Sequence, residues 1–308
     1  MNKKTIGIIG TGQHFNKKIY PVLLKSNFFK IKGILRKKKI NFKNIKNFNE
    51  KDFFKQQFDF IYISCPNKLH EKYIIKSLIA KSHVICEKPF LLRKKNINKI
   101  IQLAQNNQKL IFESFMYVYH PVFQYVKKII KNKDFGKMRY VIGNFRYPSL
   151  KKNNNRYNKN EGDGFFYDAA SYLISLESYL FENKESKISK SYVQKIKNKV
   201  DLRGNIYINS LKGNRFYFWG EGQNYSNNLE IFFDKASIYI NKFFSKNDDE
   251  QIKIKIYGKN YKEKIIKKAN HFKNMFLHIQ KNYNQINFQK LHIYKIKQQL
   301  NLLIKYNI

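Results

Sequence analysis

A lysine stands between a carboxylate and a proline at the end of an apolar run. Cys86-Glu87-Lys88-Pro89 follows Ser82-His83-Val84-Ile85. A run of that length reads as a short buried strand, and open α/β sheets put their chemistry at the carboxyl ends of strands. An ammonium there can stabilise negative charge that builds on a substrate oxygen. The plain alternative is compositional, because Lys+Arg number 61 against 21 Asp+Glu, for a formal net charge of +40.

Other groupings sit at comparable places. Gly10-Thr11-Gly12 lies after an apolar run and before a helical pattern. Glycines there let the backbone turn tightly and approach a pyrophosphate seated on the free amides of a helix N-terminus. The third small residue of the usual pattern is replaced by Phe15, which must find room between helix and strand. Leu35 ends the next apolar run, and Arg36-Lys37-Lys38-Lys39 follows with no carboxylate. A basic residue at that point suits the 2′-phosphate of NADP, whereas an Asp or Glu would hold the ribose diol of NAD. Cys65-Pro66-Asn67 forms a further strand-end loop whose Asn amide can reach cofactor or substrate, and His70 starts the helix behind it. None of the seven histidines is paired at metal-ligand spacing, and there is no Gly-x-Ser-x-Gly elbow, so no metal site and no serine hydrolase is expected.

The elements that must hold these residues alternate over the first 115 positions or so. Strands are expected at Thr5–Ile9, Ile31–Leu35, Asp59–Ser64, His83–Cys86 and Leu110–Glu113. Helices are expected near Gln13–Lys25, His70–Ala80 and Asn96–Asn106, with a polar loop holding at most a short element over Lys37–Lys51. This is the grammar of a parallel sheet with crossover helices. Beyond Phe115 come a helix near Pro121–Ile130, a strand at Met138–Arg146, an exposed loop at Lys151–Asn160 and a helix over Phe165–Leu180. Strands at Asn205–Asn209, Arg215–Trp219, Leu229–Phe233 and Ile238–Ile240 follow without helices between them, which implies an antiparallel sheet. Helical patterns near Glu263–Lys281 and Phe288–Ile304 close the chain. The fold class is α/β: a Rossmann-type parallel sheet over residues 1–117, then an α+β domain with an open, largely antiparallel sheet over 118–308.

Composition narrows the setting. The positive charge is spread along a chain rich in Lys, Asn, Ile, Phe and Tyr, which fits codon bias better than a nucleic-acid surface. Cys65 and Cys86 lack metal spacing and read as reduced thiols. The N-terminal apolar run is too short for a signal peptide and no run spans a membrane, so a cytoplasmic protein is expected.

Several ordered motifs together resemble the Gfo/Idh/MocA oxidoreductases, the glucose–fructose oxidoreductase and inositol dehydrogenase group. They are Gly7-Ile8-Ile9-Gly10-Thr11-Gly12, Asp59 through Pro66-Asn67, and Lys81-Ser82-His83-Val84-Ile85-Cys86-Glu87-Lys88-Pro89. Phe112-Glu113-Ser114-Phe115-Met116-Tyr117 with Tyr119-His120-Pro121 is similar to the sugar-ketone and dihydrodiol branch, and Gly162 to Tyr172 is similar to the family's G-G-G-x-x-x-D-x-G-x-[H/Y]. The resemblance implies hydride transfer between nicotinamide and a sugar, sugar nucleotide or related polyol or ketone. It implies Lys88 and Tyr172 as the proton-transfer residues and Asp168 as the orienting one. Residues four apart on a helix share a face, and a phenol of pKa near 10 needs a nearby cation to act as an acid at neutral pH. Taken singly, Tyr172 could be one buried tyrosine among 22 and Asp168 a helix-surface carboxylate; beside Glu87-Lys88-Pro89 the catalytic reading is favoured.

The expected cofactor contacts are Gly10, Thr11, Gly12, Gln13, His14, Arg36, Cys65, Pro66, Asn67, His70, Glu87 and Lys88, with NADP(H) preferred over NAD(H). The resemblance also implies a homodimer or homotetramer formed through the open sheet, and no specific nucleic acid or membrane partner is expected. Phe15, Asp163, Ala170 and Val118 depart from the family pattern. They motivate an alternative, a degenerate member that binds nucleotide or sugar without turnover.

Overall fold

A computed structural model describes residues 3–35, 42, 45–158, 164–181, 187–195 and 200–306. The chain forms two compact units, residues 1–114 with 275–301 and residues 115–274 with 302–308. Met275–Asn301, counted by sequence with the C-terminal domain, thus belongs to the first unit.

The first unit is built on β1 (Lys4–Ile9), α1 (Tyr20–Leu24), β2 (Phe29–Leu35), β3 (Lys46–Phe48), α2 (Glu50–Lys55), β4 (Phe60–Ile63), α3 (His70–Ile79), β5 (His83–Glu87), α4 (Ile97–Asn106) and β6 (Ile111–Ser114). The six strands pair in parallel in the order β3-β2-β1-β4-β5-β6. All four residues of β4 are buried, as a strand covered on both faces requires. Helix α4 buries Ile97, Ile100, Ile101 and Ala104, a spacing that puts one stripe against the sheet. The short element allowed within Lys37–Lys51 is β3, whose three residues extend the sheet edge. Helix α2 follows, capped where the Asn49 side chain accepts the Asp52 N–H at 2.9 Å. Asn47 and Lys46 offered no apolar alternation, so only pairing with β2 defines this strand.

The second unit runs through α5 (Pro121–Asn132), β7 (Met138–Tyr147), α6 (Ser171–Tyr179), β8 (Lys187–Lys195), β9 (Asp201–Asn209), β10 (Asn214–Glu221), β11 (Ser226–Phe233), β12 (Ser237–Asn241), β13 (Ile252–Tyr257) and β14 (Tyr261–Ile266). Helix α5 starts with Pro121 in its first turn, capped by His120 Nδ1 accepting the Val122 N–H at 3.1 Å. The eight strands lie in the order β14-β13-β12-β11-β7-β10-β9-β8, antiparallel except for the parallel pair β7 and β10. Strand β11 alternates half-buried and buried residues, with one face on the core. The helix expected from Glu263 is a correction: Tyr261–Ile266 is instead the edge strand β14, paired residue by residue with β13. Its alternate lysines and glutamate look helical in isolation, but they suit an exposed sheet edge. Helices α7 (His271–Asn282) and α8 (Ile286–Tyr306) follow. Tyr283 and Phe276 pack on Phe60 and Phe29 within the first unit, with ring centres 5.1 and 5.7 Å apart.

Candidate functional site

Strand order reverses between β1 and β4, the place where open α/β sheets leave a crevice at their carboxyl ends. Gly10 sits there with φ +90°, and a Cβ on it would lie 2.5 Å from the Cys65 nitrogen, so only glycine fits. Ser64 Oγ donates to the Gly10 carbonyl at 2.7 Å and ties the two strand ends together. A Cβ on Gly12 would meet nothing within 4 Å, which leaves the turn open to an approaching group. Phe15 is fully buried, with ring centres 6.4 Å from Tyr62 and 5.9 Å from Tyr20. Residues Phe15–Ile19 form a wide π turn before α1, which accommodates the bulky side chain. The turn therefore suits a dinucleotide despite the missing third glycine.

Glu87, at the end of β5, accepts a hydrogen bond from the Tyr62 hydroxyl and pairs with His14 Nε2 at 3.2 Å. Burial pushes its carboxyl up. The His14 charge, hydrogen bonds from His14 and Tyr62, and the Lys88 charge outweigh this and hold it below the usual glutamate value. His14 and Glu87 are thus brought together, and Tyr62 is a partner that sequence reasoning missed. Its signal was a lone hydroxyl in the apolar run Phe60-Ile61-Tyr62-Ile63.

Lys88 is half-buried, and the Lys88–Pro89 peptide is cis. His70 begins α3 and is buried, with Nδ1 2.9 Å from the Pro89 carbonyl and Nε2 2.9 Å from the Cys65 carbonyl. It links the two strand-end loops rather than presenting a ring nitrogen to solvent. Burial lowers its pKa, against the pull of the two carbonyls and Glu87. Burial pushes the Cys65 thiol up to about 12, which keeps it protonated. Thr11, Gln13, Pro66 and Asn67 lie on the same two turns, and Arg36 lies outside the described residues.

In the second unit, Asp168 lies in the π turn Phe166–Ala170, which runs directly into α6 and Tyr172. Its Oδ2 accepts from Arg156 Nε at 2.6 Å and from the Tyr147 hydroxyl at 2.9 Å. The Asp168 charge raises Arg156 despite burial, and Tyr147 and Tyr172 add to that rise, so Arg156 and Tyr172 interact. Tyr172 is 7 % exposed and packs edge-on against Phe115 and Phe145. Its hydroxyl lies 3.6 Å from Met116 Sδ.

Asn155–Tyr157 is a single helical turn with Arg156 half-buried, which corrects the expected exposed loop at those residues, while residues 151–153 and Asn158 are exposed. A polar, Asn-rich stretch gave no sign that one arginine in it would meet Asp168. The start of the helix is fixed by Asp201, whose Oδ2 accepts the Phe165 and Phe166 N–H groups at 2.9 and 2.6 Å. Gly164 (φ +85°) is required beside it, because a Cβ there would lie 2.0 Å from Asp201 Oδ1. Gly162 and Asp163 of the same motif lie outside the described residues.

Comparison with known proteins covers both of these regions. Residues 4–115 match the model described as an oxidoreductase family with an NAD-binding Rossmann fold, and residues 123–239 match the GFO/IDH/MocA C-terminal domain. The chain is 23% identical over 202 residues to a dTDP-3,4-didehydro-2,6-dideoxy-alpha-D-glucose 3-reductase of Saccharopolyspora spinosa, covering 65% of this chain and 61% of that protein. It is 21% identical over 137 residues to a trans-1,2-dihydrobenzene-1,2-diol dehydrogenase of Xenopus tropicalis, covering 44% of this chain and 41% of the relative. The chain thus spans less than two thirds of the length of the curated relatives it matches. A 3-ketoreductase from Actinomadura kijaniata, solved with NADP and TDP-benzene, superposes with a TM-score of 0.91 at 17% identity, covering 98% of this chain and 96% of that one. With both of its domains matched to family models and its fold shared, the chain belongs to the Gfo/Idh/MocA oxidoreductase family.

Proposed function

We propose that the protein is an NAD(P)-dependent oxidoreductase that moves a hydride between nicotinamide and a sugar-like carbonyl or alcohol, with a nucleotide-linked keto sugar as its substrate class. The observation behind this reading is Glu87-Lys88-Pro89 at the carboxyl end of β5, in the same sheet as the open Gly10–Gly12 turn. Bound nicotinamide supplies the hydride donor or acceptor, and the chain's own residues manage charge and protons. Lys88 supplies the cation that offsets charge on the carbonyl oxygen, and Tyr172 delivers the proton. Asp168 orients by holding Arg156, whose guanidinium brings positive charge to this end of the second unit.

NADP(H) is the preferred cofactor in this proposal, held through Arg36 where a carboxylate for the ribose diol is absent. The expected partner is a second copy, docked on the sheet that leaves Tyr140, Tyr192 and Phe218 exposed. The free thiols Cys65 and Cys86 suit a reducing cytoplasm. Among the described residues no helix is long and apolar enough to cross a membrane.

The test is thermal shift with NADP and NAD, followed by NADPH consumption with the dTDP-linked keto sugar of the relatives. NADP should raise the melting temperature more than NAD, and Arg36→Ala should erase the difference. Lys88→Ala and Tyr172→Phe should each lower turnover at least about 100-fold. If neither nucleotide stabilised the protein, the oxidoreductase assignment would fail.

A further inference from the structure

The Pro89–Phe90 peptide, which follows Lys88, is gripped at both of its polar atoms. On one side His70 meets the Pro89 carbonyl at 2.9 Å. On the other, Glu113 Oε1 accepts the Phe90 N–H at 2.8 Å from the neighbouring strand β6, where Glu113 pairs with Cys86. Glu113 is 2 % exposed, an unusual place for a carboxyl, and Phe90 and Leu91 are buried beside it. Its Oε2 is buried with no hydrogen-bond partner among the described residues. A group this costly to bury that spends its one bond on a backbone amide two residues from Lys88 is better explained by placement than by packing.

We propose that Glu113 is a positioning residue for Lys88, acting through the Phe90 N–H. Burial pushes its carboxyl up to about 8, against the Phe90 bond and the Lys88 charge. This direction favours the uncharged acid, which accepts the amide without bringing a full negative charge against Lys88. Glutamine reproduces that state, since its amide oxygen accepts the same N–H. Leucine keeps the volume and removes the acceptor, and aspartate withdraws the carboxyl by one methylene. The inference rests on the catalytic reading of Lys88 above, so its test needs one arm that is independent of turnover.

That arm is the NMR signal of Lys88 in protein reductively methylated with 13C-formaldehyde, assigned by its loss in Lys88→Arg. Glu113→Leu should move the Lys88 signal and speed amide exchange at Phe90 at least about 10-fold, and Glu113→Gln should restore both. In the NADPH assay Glu113→Leu should lose about 10- to 100-fold in kcat, with KM for NADPH within about twofold, and Gln should recover kcat. Should the leucine variant not fold, Glu113→Asp should move the same signal. An unmoved Lys88 signal in a folded leucine or aspartate variant overturns the inference while the reading of Lys88 stands. Wild-type turnover in Lys88→Ala removes both.

Discussion

Replacing Gly164 by alanine should destabilise the second unit by more than removal of the carboxylate that Gly164 faces. The left-handed φ of +85° alone costs a Cβ-bearing residue about 1–2 kcal/mol. The new methyl would also fall 2.0 Å from Asp201 Oδ1 and push the carboxylate off the Phe165 and Phe166 amides. Loss of such a cap costs about 0.5–2 kcal/mol. Gly164→Ala should thus lose roughly 1.5–4 kcal/mol, and Asp201→Ala about 0.5–2 kcal/mol. In the double variant the methyl has room and the cap is lost only once. The two effects should therefore fall short of additivity by about the worth of the cap. The assay is urea unfolding followed by the fluorescence of Trp219, the chain's single tryptophan, whose ring centre lies 5.5 Å from that of Phe166. Strict additivity, or a Gly164→Ala variant as stable as the parent, would refute the reasoning.

Two further outcomes follow from buried polar groups. Glu177 and Arg215 are both 0 % exposed and 3.4 Å apart, and the Tyr217 hydroxyl donates to the same Glu177 oxygen at 2.6 Å. Glu177→Ala should cost about 3–5 kcal/mol by the same fluorescence assay, and a paired Glu177→Leu/Arg215→Met exchange should cost less, because no charge is left buried alone. His83 is held neutral, its pKa lowered to about 3 by burial and by the Lys109 charge, while Nδ1 accepts the Leu110 N–H at 2.9 Å. Its folded pKa is below its unfolded value, so the unfolded chain binds the extra proton between these limits and stability falls as pH drops from about 6.5 towards 3. His83→Asn, which keeps an acceptor, should flatten that acid limb in melting temperature against pH.

The parallel sheet was legible because each of its principal strands is a short apolar run that ends in a Pro, Gly or charged residue. Elements defined only by a neighbour were not. Strand β3 has no pattern of its own, and β14 carries charges that fit a helix face equally well until β13 is beside it. At the candidate site, Gly10, His14, Glu87 and Lys88 were visible from motif and position. Arg156 and Asp201 were not, because what gives them a role is a carboxylate or an amide distant in sequence. Phe15 was readable as a conflict, but its resolution by a wide first helical turn depends on backbone geometry that the residue type does not specify.

The aromatic cover on the first sheet has a consequence for the order of synthesis. Phe29, Phe60 and Phe112 are covered by Phe276, Tyr283 and His292, residues that a ribosome delivers only after the whole intervening segment 115–274. Until then these rings lack the cover that this segment gives them. A fragment cut at residue 117 would lack that cover permanently and should aggregate. A fusion that restores Met275–Asn301 to it should be the smallest soluble form of the nucleotide-binding half.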